Sequence, residues 1–95
     1  VDEAHALGVF GPSGAGLSAA EGVTPDLLVG TLGKSFGAAG AFVAGEGTTI
    51  AFLRNRARSF VYSTAPGPPI VRAALAALPL VREADEARRR PLNIN

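Results

Sequence analysis

The residue with the most chemistry to offer is Lys34, set in Gly30-Thr31-Leu32-Gly33-Lys34-Ser35-Phe36-Gly37 directly after the apolar run Leu27-Leu28-Val29. An ammonium at the end of a buried strand is costly unless it is exposed, paired or used as a reactive amine. Upstream, Val1-Asp2-Glu3-Ala4-His5 carries two carboxylates and the chain's single histidine. An apolar residue that gives way to acidic ones and then to a Gly-rich connection reads as the carboxyl end of a strand, where ligands of open α/β sheets bind. Asp2, Glu3 and His5 are thus expected to cluster at one strand end, and Lys34 just past the end of the next strand.

These residues spell three catalytic patterns. Gly33-Lys34-Ser35-Phe36-Gly37 matches G-x-S-x-G, the nucleophile elbow of α/β-hydrolases, with Ser35 as nucleophile. In that fold the histidine follows the serine, whereas His5 precedes it, so a hydrolase needs a further histidine beyond Asn95. Asp2-Glu3-Ala4-His5 spells the acidic box of DEAH NTPases, whose carboxylates serve a nucleotide-bound magnesium and its attacking water. Its companion G-x-x-x-x-G-K-[ST] is missing, because Leu28 stands where the first glycine belongs. An Asp with a His three residues on, and a Lys after the next strand, is the set that pyridoxal phosphate chemistry wants. The lysine bonds the cofactor as a Schiff base, the aspartate pairs with the pyridinium nitrogen, and a histidine can hydrogen-bond the ring hydroxyl.

The elements around these residues read as α/β. Asp26–Thr31 is a short apolar run bounded by Pro25 and the glycine turn, which fits a strand buried on both faces of a parallel sheet. Gly40–Gly45 is a second such run, too close for a crossover helix and therefore an antiparallel neighbour. Between the two chemical clusters, Gly8–Gly16 holds four glycines and a proline and specifies a structured loop. Downstream, Thr48 or Thr49 is expected to cap a helix through about Arg58, and Phe60–Ser63 to form a further strand. The prolines of Pro66-Gly67-Pro68-Pro69 suit the first turn of a helix carrying Ile70, Val71, Ala74, Leu75 and Leu78 on one face. Pro79 should stop or kink that helix, and a charged helix over roughly Glu83 to Arg90 should follow.

Composition bounds the rest. Ninety-five residues make at most one small domain, expected to bury roughly 60 to 65% of its unfolded surface. Both ends stop without capping or turn signals, so the chain is expected to be a partial large domain, truncated at both ends. A net charge of +1 gives no reason to expect a nucleic-acid or membrane partner. Arg88-Arg89-Arg90 reads as a solvated helix face with Asp85–Arg89 and Glu86–Arg90 pairs. Having no Cys and one His, the chain offers neither disulfides nor a multi-histidine metal site. With no 18-residue apolar run, a soluble, cytoplasmic protein is the expectation.

Three blocks carry a family resemblance over nearly the whole chain: Asp2-Glu3-Ala4-His5 with Gly8–Gly14, then Gly30–Gly37, then Arg56-Ala57-Arg58-Ser59-Phe60-Val61-Tyr62-Ser63-Thr64-Ala65. Together they resemble the α-oxoamine synthase family, pyridoxal-phosphate acyltransferases that condense an amino acid with an acyl thioester and release carbon dioxide. The resemblance implies the large domain of a fold-type I, aspartate aminotransferase-like transferase working as a homodimer. It makes Lys34 the Schiff-base lysine and general base, Asp2 the pyridine-nitrogen partner, His5 a partner of the ring oxygen and Thr31 a phosphate ligand. Thr64, and with it Ser63, would reach the phosphate of the neighbouring subunit's cofactor, while Arg56 and Arg58 are taken as solvated. The wording of Asn55–Phe60 most resembles the branch that joins L-alanine to a pimeloyl thioester, from CoA or a carrier protein, in biotin synthesis. Glycine- and serine-using branches share much of the same text. The family's ring-stacking histidine and carboxylate-binding arginine fall outside Val1–Asn95, so these residues alone are expected to be nearly inactive. In this setting Ser35 is an ordinary neighbour, and the glycines let the chain pass close beneath the cofactor ring.

Overall fold

The structure, a computed structural model, describes residues 1–84 and Arg89. Its centre is β1 (Leu27–Thr31), with β2 (Ala41–Gly45) paired antiparallel to it in the register Leu27 opposite Gly45 through Thr31 opposite Ala41. On the other side of β1, Asp2 makes a parallel bridge with Val29. Glu3 N–H donates to the Val29 carbonyl and Val29 N–H to the Val1 carbonyl, both at 2.8 Å. The two neighbours of β1 are those that the apolar runs and the short connection require. Burial differs from expectation, since Gly30 is the one buried residue of β1 and β2 is exposed throughout.

The Gly8–Gly16 segment is a structured loop. Gly8 N–H donates to the Gly14 carbonyl at 2.8 Å and Gly16 N–H to the Phe10 carbonyl at 2.9 Å, around a 3-10 turn at Pro12–Gly14. It runs into a short helix, α1 (Leu17–Ala20), which the apolar pattern does not mark.

The second half is helical: α2 (Gly47–Arg56), α3 (Arg58–Val61) and α4 (Pro68–Glu83). Four expectations are corrected here. Glu46, not Thr48 or Thr49, caps α2, accepting from Thr48 N–H at 2.9 Å and Thr49 N–H at 3.3 Å. The threonines are the residues being capped. The helix expected to run to Arg58 breaks at Ala57, whose ψ of 109° is extended.

The strand expected over Phe60–Ser63 is instead α3 and its exit, with Val61 N–H bonded to the Ala57 carbonyl and Tyr62 N–H to the Arg58 carbonyl. Phe, Val and Tyr favour strands only where a sheet edge offers a partner. Here the local i→i−4 bonds take that place, and they set the Arg58 guanidinium 5.9 Å from the centroid of the Tyr62 ring. Finally, Pro79 does not stop α4, which continues through it to Glu83. Of the proposed Glu83–Arg90 helix, Glu83 ends α4, Ala84 follows it with an extended ψ of 120°, and Arg89 Nη2 donates to the Val81 carbonyl at 2.6 Å, while residues 85–88 and 90 and the expected ion pairs lie outside the described residues.

The core is slight. Ala6 is the one buried hydrophobic side chain among the described residues. The accessible surface of 7012 Å² is about half of the ~13,900 Å² an unfolded chain of this mass exposes, short of the expected 60 to 65%. The shortfall lies in β2 and the helices. α4 rests Val81 near Gly8 and Gly14 and leaves Leu75 and Leu80 more than 60% exposed. No helix among the described residues is long and apolar enough to cross a membrane.

Candidate active site

The parallel bridge between Asp2 and Val29 determines where the candidate residues stand. Paired residues in a sheet share a face, and side chains alternate along a strand. Asp2, Val29 and Thr31 therefore share one face of the sheet, with Glu3 directed to the other. Thr31 closes the end of β1, and Lys34 follows three residues on in the exposed turn.

The two acidic neighbours part company. Asp2 is exposed, and its Oδ1 accepts from Ala4 N–H at 2.8 Å, a local turn that orients the carboxylate. Its Oδ2 has no hydrogen-bond partner among the described residues. Glu3 is 1% exposed and accepts from Leu17 N–H at 3.0 Å, Ser18 N–H at 2.6 Å and the Ser18 hydroxyl at 2.5 Å. The Ser18 hydroxyl, then the Ser18 N–H, hold the Glu3 carboxyl below the usual carboxylate range against the cost of burial. Glu3 thus caps α1 from a distance and does not cluster with Asp2 and His5 as expected. Gly16 is its counterpart, because a Cβ there would lie 2.9 Å from the Glu3 carboxyl carbon and its φ is +103°. No sequence signal marks this role, because the apolar pattern does not mark α1 and its capping position is held by Gly16, which has no side chain to cap with.

Thr31 Oγ1 accepts from Gly33 N–H and donates to the Gly40 carbonyl, each at 3.2 Å. Leu32 closes the base of the lysine loop twice, its N–H donating to the Gly40 carbonyl and its carbonyl accepting from Ala38 N–H, both at 2.8 Å. Lys34 and His5 are both exposed, and no side-chain hydrogen bond among the described residues engages the Lys34 amine. Ser35 is more than a neighbour, since its hydroxyl donates to the Leu7 carbonyl and ties the lysine turn to the turn after His5.

The glycines also serve packing within the chain. A Cβ on Gly30 would strike the Phe42 ring and lie 2.6 Å from Leu7 Cδ1, whereas one on Gly33 would meet only ordinary contacts, the nearest at 3.6 Å. The tight approach at this strand end is thus to Phe42 and Leu7. Thr64 and Ser63 are placed elsewhere, in the exposed stretch between α3 and α4, where the Ser63 hydroxyl donates to the Phe60 carbonyl at 3.1 Å. Arg56 and Arg58 are exposed, as expected of solvated residues. No group of three or more His, Cys, Asp or Glu among the described residues is placed to hold a metal ion.

An α/β segment with Asp and His at one strand end and Lys after the next defines a class. The aminotransferase class I and II family model matches residues 1–94, and the chain belongs to that family. It is 55% identical over 92 residues to 8-amino-7-oxononanoate synthase of Anaeromyxobacter dehalogenans strain 2CP-C, covering 95% of this chain and 23% of that protein. To the enzyme of that name from Acidithiobacillus ferrooxidans it is 50% identical over 95 residues, covering 95% of this chain and 24% of the relative. Among solved structures, 8-amino-7-oxononanoate synthase from Francisella tularensis matches with a TM-score of 0.83 at 34% identity, over 95% of this chain and 28% of that one. Serine palmitoyltransferase from S. paucimobilis, with a bound PLP–myriocin aldimine, matches with a TM-score of 0.85 at 33% identity, over 98% of this chain and 25% of that one. The chain spans about a quarter of the length of the curated relatives it matches. The resemblance to α-oxoamine synthases therefore holds, and the fold is that of a fold-type I, aspartate aminotransferase-like transferase, represented by an α/β segment.

Proposed function

We propose that the protein containing these residues is a pyridoxal-phosphate-dependent acyltransferase that condenses L-alanine with a pimeloyl thioester, from CoA or a carrier protein, and releases carbon dioxide, a step of biotin synthesis. The observation that carries this reading is the Asp2–Val29 bridge, which sets the Asp2 carboxylate, with one oxygen oriented by Ala4 N–H and the other without a hydrogen-bond partner among the described residues, beside the strand that leads into Thr31 and Lys34. The donor set fits the cofactor's chemistry. It comprises a primary amine for an aldehyde, an acceptor for a pyridinium N–H, an imidazole for a ring oxygen and a hydroxyl for a phosphate.

In this reading Lys34 would hold the cofactor through its amine, and the same amine would serve as general base toward the α-carbon of the amino acid. Asp2 would accept a hydrogen bond from the ring nitrogen and favour its protonated form. His5 would donate to the ring oxygen, and Thr31 would donate to the phosphate in place of its bond to Gly40. Thr64 serves the phosphate of the partner subunit in a homodimer. Pyridoxal phosphate, when bound, supplies an electron-poor ring that stabilises negative charge at the substrate's α-carbon. The rest of the protein would provide the ring-stacking histidine and the carboxylate-binding arginine, and the cytoplasm is its proposed location.

A glycine- or serine-using α-oxoamine synthase is the second reading, favoured by the match to serine palmitoyltransferase over 98% of the chain. A hydrolase with Ser35 as nucleophile is opposed by the Ser35 hydroxyl donating to a backbone carbonyl, which is no general base. A DEAH-type NTPase is opposed by Glu3, whose carboxylate is already engaged by Leu17 and Ser18. The test is the absorbance spectrum of the full-length protein with pyridoxal phosphate, then borohydride reduction and peptide mapping. A reduced adduct on Lys34 is expected, and its absence overturns the reading. Spectral response to alanine over glycine and serine selects the substrate.

A further inference from the structure

Two observations on opposite sides of one contact concern Ser35. Its hydroxyl donates to the Leu7 carbonyl, a partner 28 residues away in sequence. Across that contact Gly8 has a φ of +79°, and a Cβ added there would lie 2.5 Å from Ser35 Cβ and 2.8 Å from Ser35 Oγ. Gly8, at a left-handed φ, therefore admits no side chain while Ser35 stands beside it. Gly8 is fixed in turn, because its N–H donates to the Gly14 carbonyl at 2.8 Å. Leu7 is anchored as well, with its side chain over Gly30 one residue before Thr31. The lysine loop is thus held at its base by Leu32 and near its tip by Ser35, and the residue beside the tip anchor is Lys34.

We propose that Ser35 is a positioning residue: its hydrogen bond to the Leu7 carbonyl fixes the Lys34 turn against the Asp2–His5 turn and sets where the Lys34 amine stands relative to Asp2. The proposal rests on the pyridoxal-phosphate reading above. A lysine side chain has a flexible four-carbon stem, and transfer of a proton at one carbon rewards a fixed origin for that stem. Removing the anchor lets the turn drift while leaving the amine, the carboxylate and the sheet in place.

The test compares wild-type and Ser35→Ala full-length protein with pyridoxal phosphate. The readouts are the pH at which the bound-cofactor absorbance changes, kcat and KM for the amino acid, and Tm. For Ser35→Ala the expected result is a shifted midpoint of the absorbance titration, a kcat roughly tenfold lower with the amino acid KM within about twofold, and a Tm within about 2 °C of wild type. A wild-type titration midpoint and kcat in the variant overturn the proposal. So does a loss of activity that is matched by lost fold or thermal stability, which makes Ser35 a structural residue only. The two readings fail separately. A wild-type protein with no reducible adduct on Lys34 removes both, whereas a normal adduct with an indifferent Ser35→Ala removes only the role of Ser35.

Discussion

The segments before and after Gly45 are held together in opposite ways. Before it, side chains bond across the chain: Glu3 to Leu17 and Ser18, and Ser35 to Leu7, over sequence separations of 14, 15 and 28 residues. After it, the side-chain bonds among the described residues stay shorter in range, with Thr48 to Glu46, Asn55 to Ala51 and Ser63 to Phe60 spanning two to four residues and Arg89 to Val81 spanning eight. The first segment uses polar side chains to fix loops in space, and there the candidate chemistry sits. The second uses them to finish helix turns and presents apolar faces outward, at Leu75, Leu80 and Phe52 among others. The difference is between a region whose shape is specified internally and one whose apolar faces the described residues leave uncovered.

The sharpest way to test that contrast is Lys34→Ala in the full-length protein. It should abolish the reducible adduct and lower kcat by at least about 10³-fold with little change in Tm, since the turn is held by Leu32 and Ser35 and not by the lysine. Glu3→Gln should cost about 1–3 kcal/mol in denaturant unfolding, because its amide would present N–H donors to the N–H groups of Leu17 and Ser18. The pH dependence of this effect has a definite sign. The folded-state carboxyl of Glu3 is held below its ordinary 4.5, so its contribution is complete above that value and is lost as pH falls through the lowered one. The stability curves of wild type and Glu3→Gln should therefore converge in acid.

Glu46→Ala probes the helical segment. It should fray the first turn of α2, read as faster amide exchange at Thr48 and Thr49, with no effect on the Lys34 adduct. Smallest of all, Tyr62→Ala should remove an exposed contact with Arg58 worth about 0.5 kcal/mol.

The legible parts of the chain were those with local causes. β1 and β2 follow from short apolar runs bounded by Gly and Pro, and their antiparallel pairing from the short Leu32–Gly40 connection. The start of α4 follows from paired prolines. Thr48 and Thr49 misled because threonine caps far more often than glutamate, yet Glu46 stands where its carboxylate reaches two N–H groups. Phe60–Ser63 misled because strand propensity says nothing of whether an edge is available. Glu3 and Ser35 were illegible for a different reason: each is defined by a partner brought near only once the loop has closed. Of the candidate site, residue types and order could be read, but the separation of Asp2 from Glu3 onto opposite faces needed the bridge to Val29.

That bridge also has a bearing on how the chain tolerates change. Asp2 and Glu3 are chemically near twins whose duties are divided by strand parity alone. A single-residue insertion or deletion that slid the Asp2–Val29 pairing by one place would exchange them. The longer carboxylate would then stand on the face that Asp2 now shares with Thr31, and the shorter one would be left to reach for Leu17 and Ser18. Substitution at most positions nearby alters one contact. A frame slip here would displace the Glu3 cap of α1 and the proposed role of Asp2 at once, so this stretch should admit variation in side chains far more readily than variation in length.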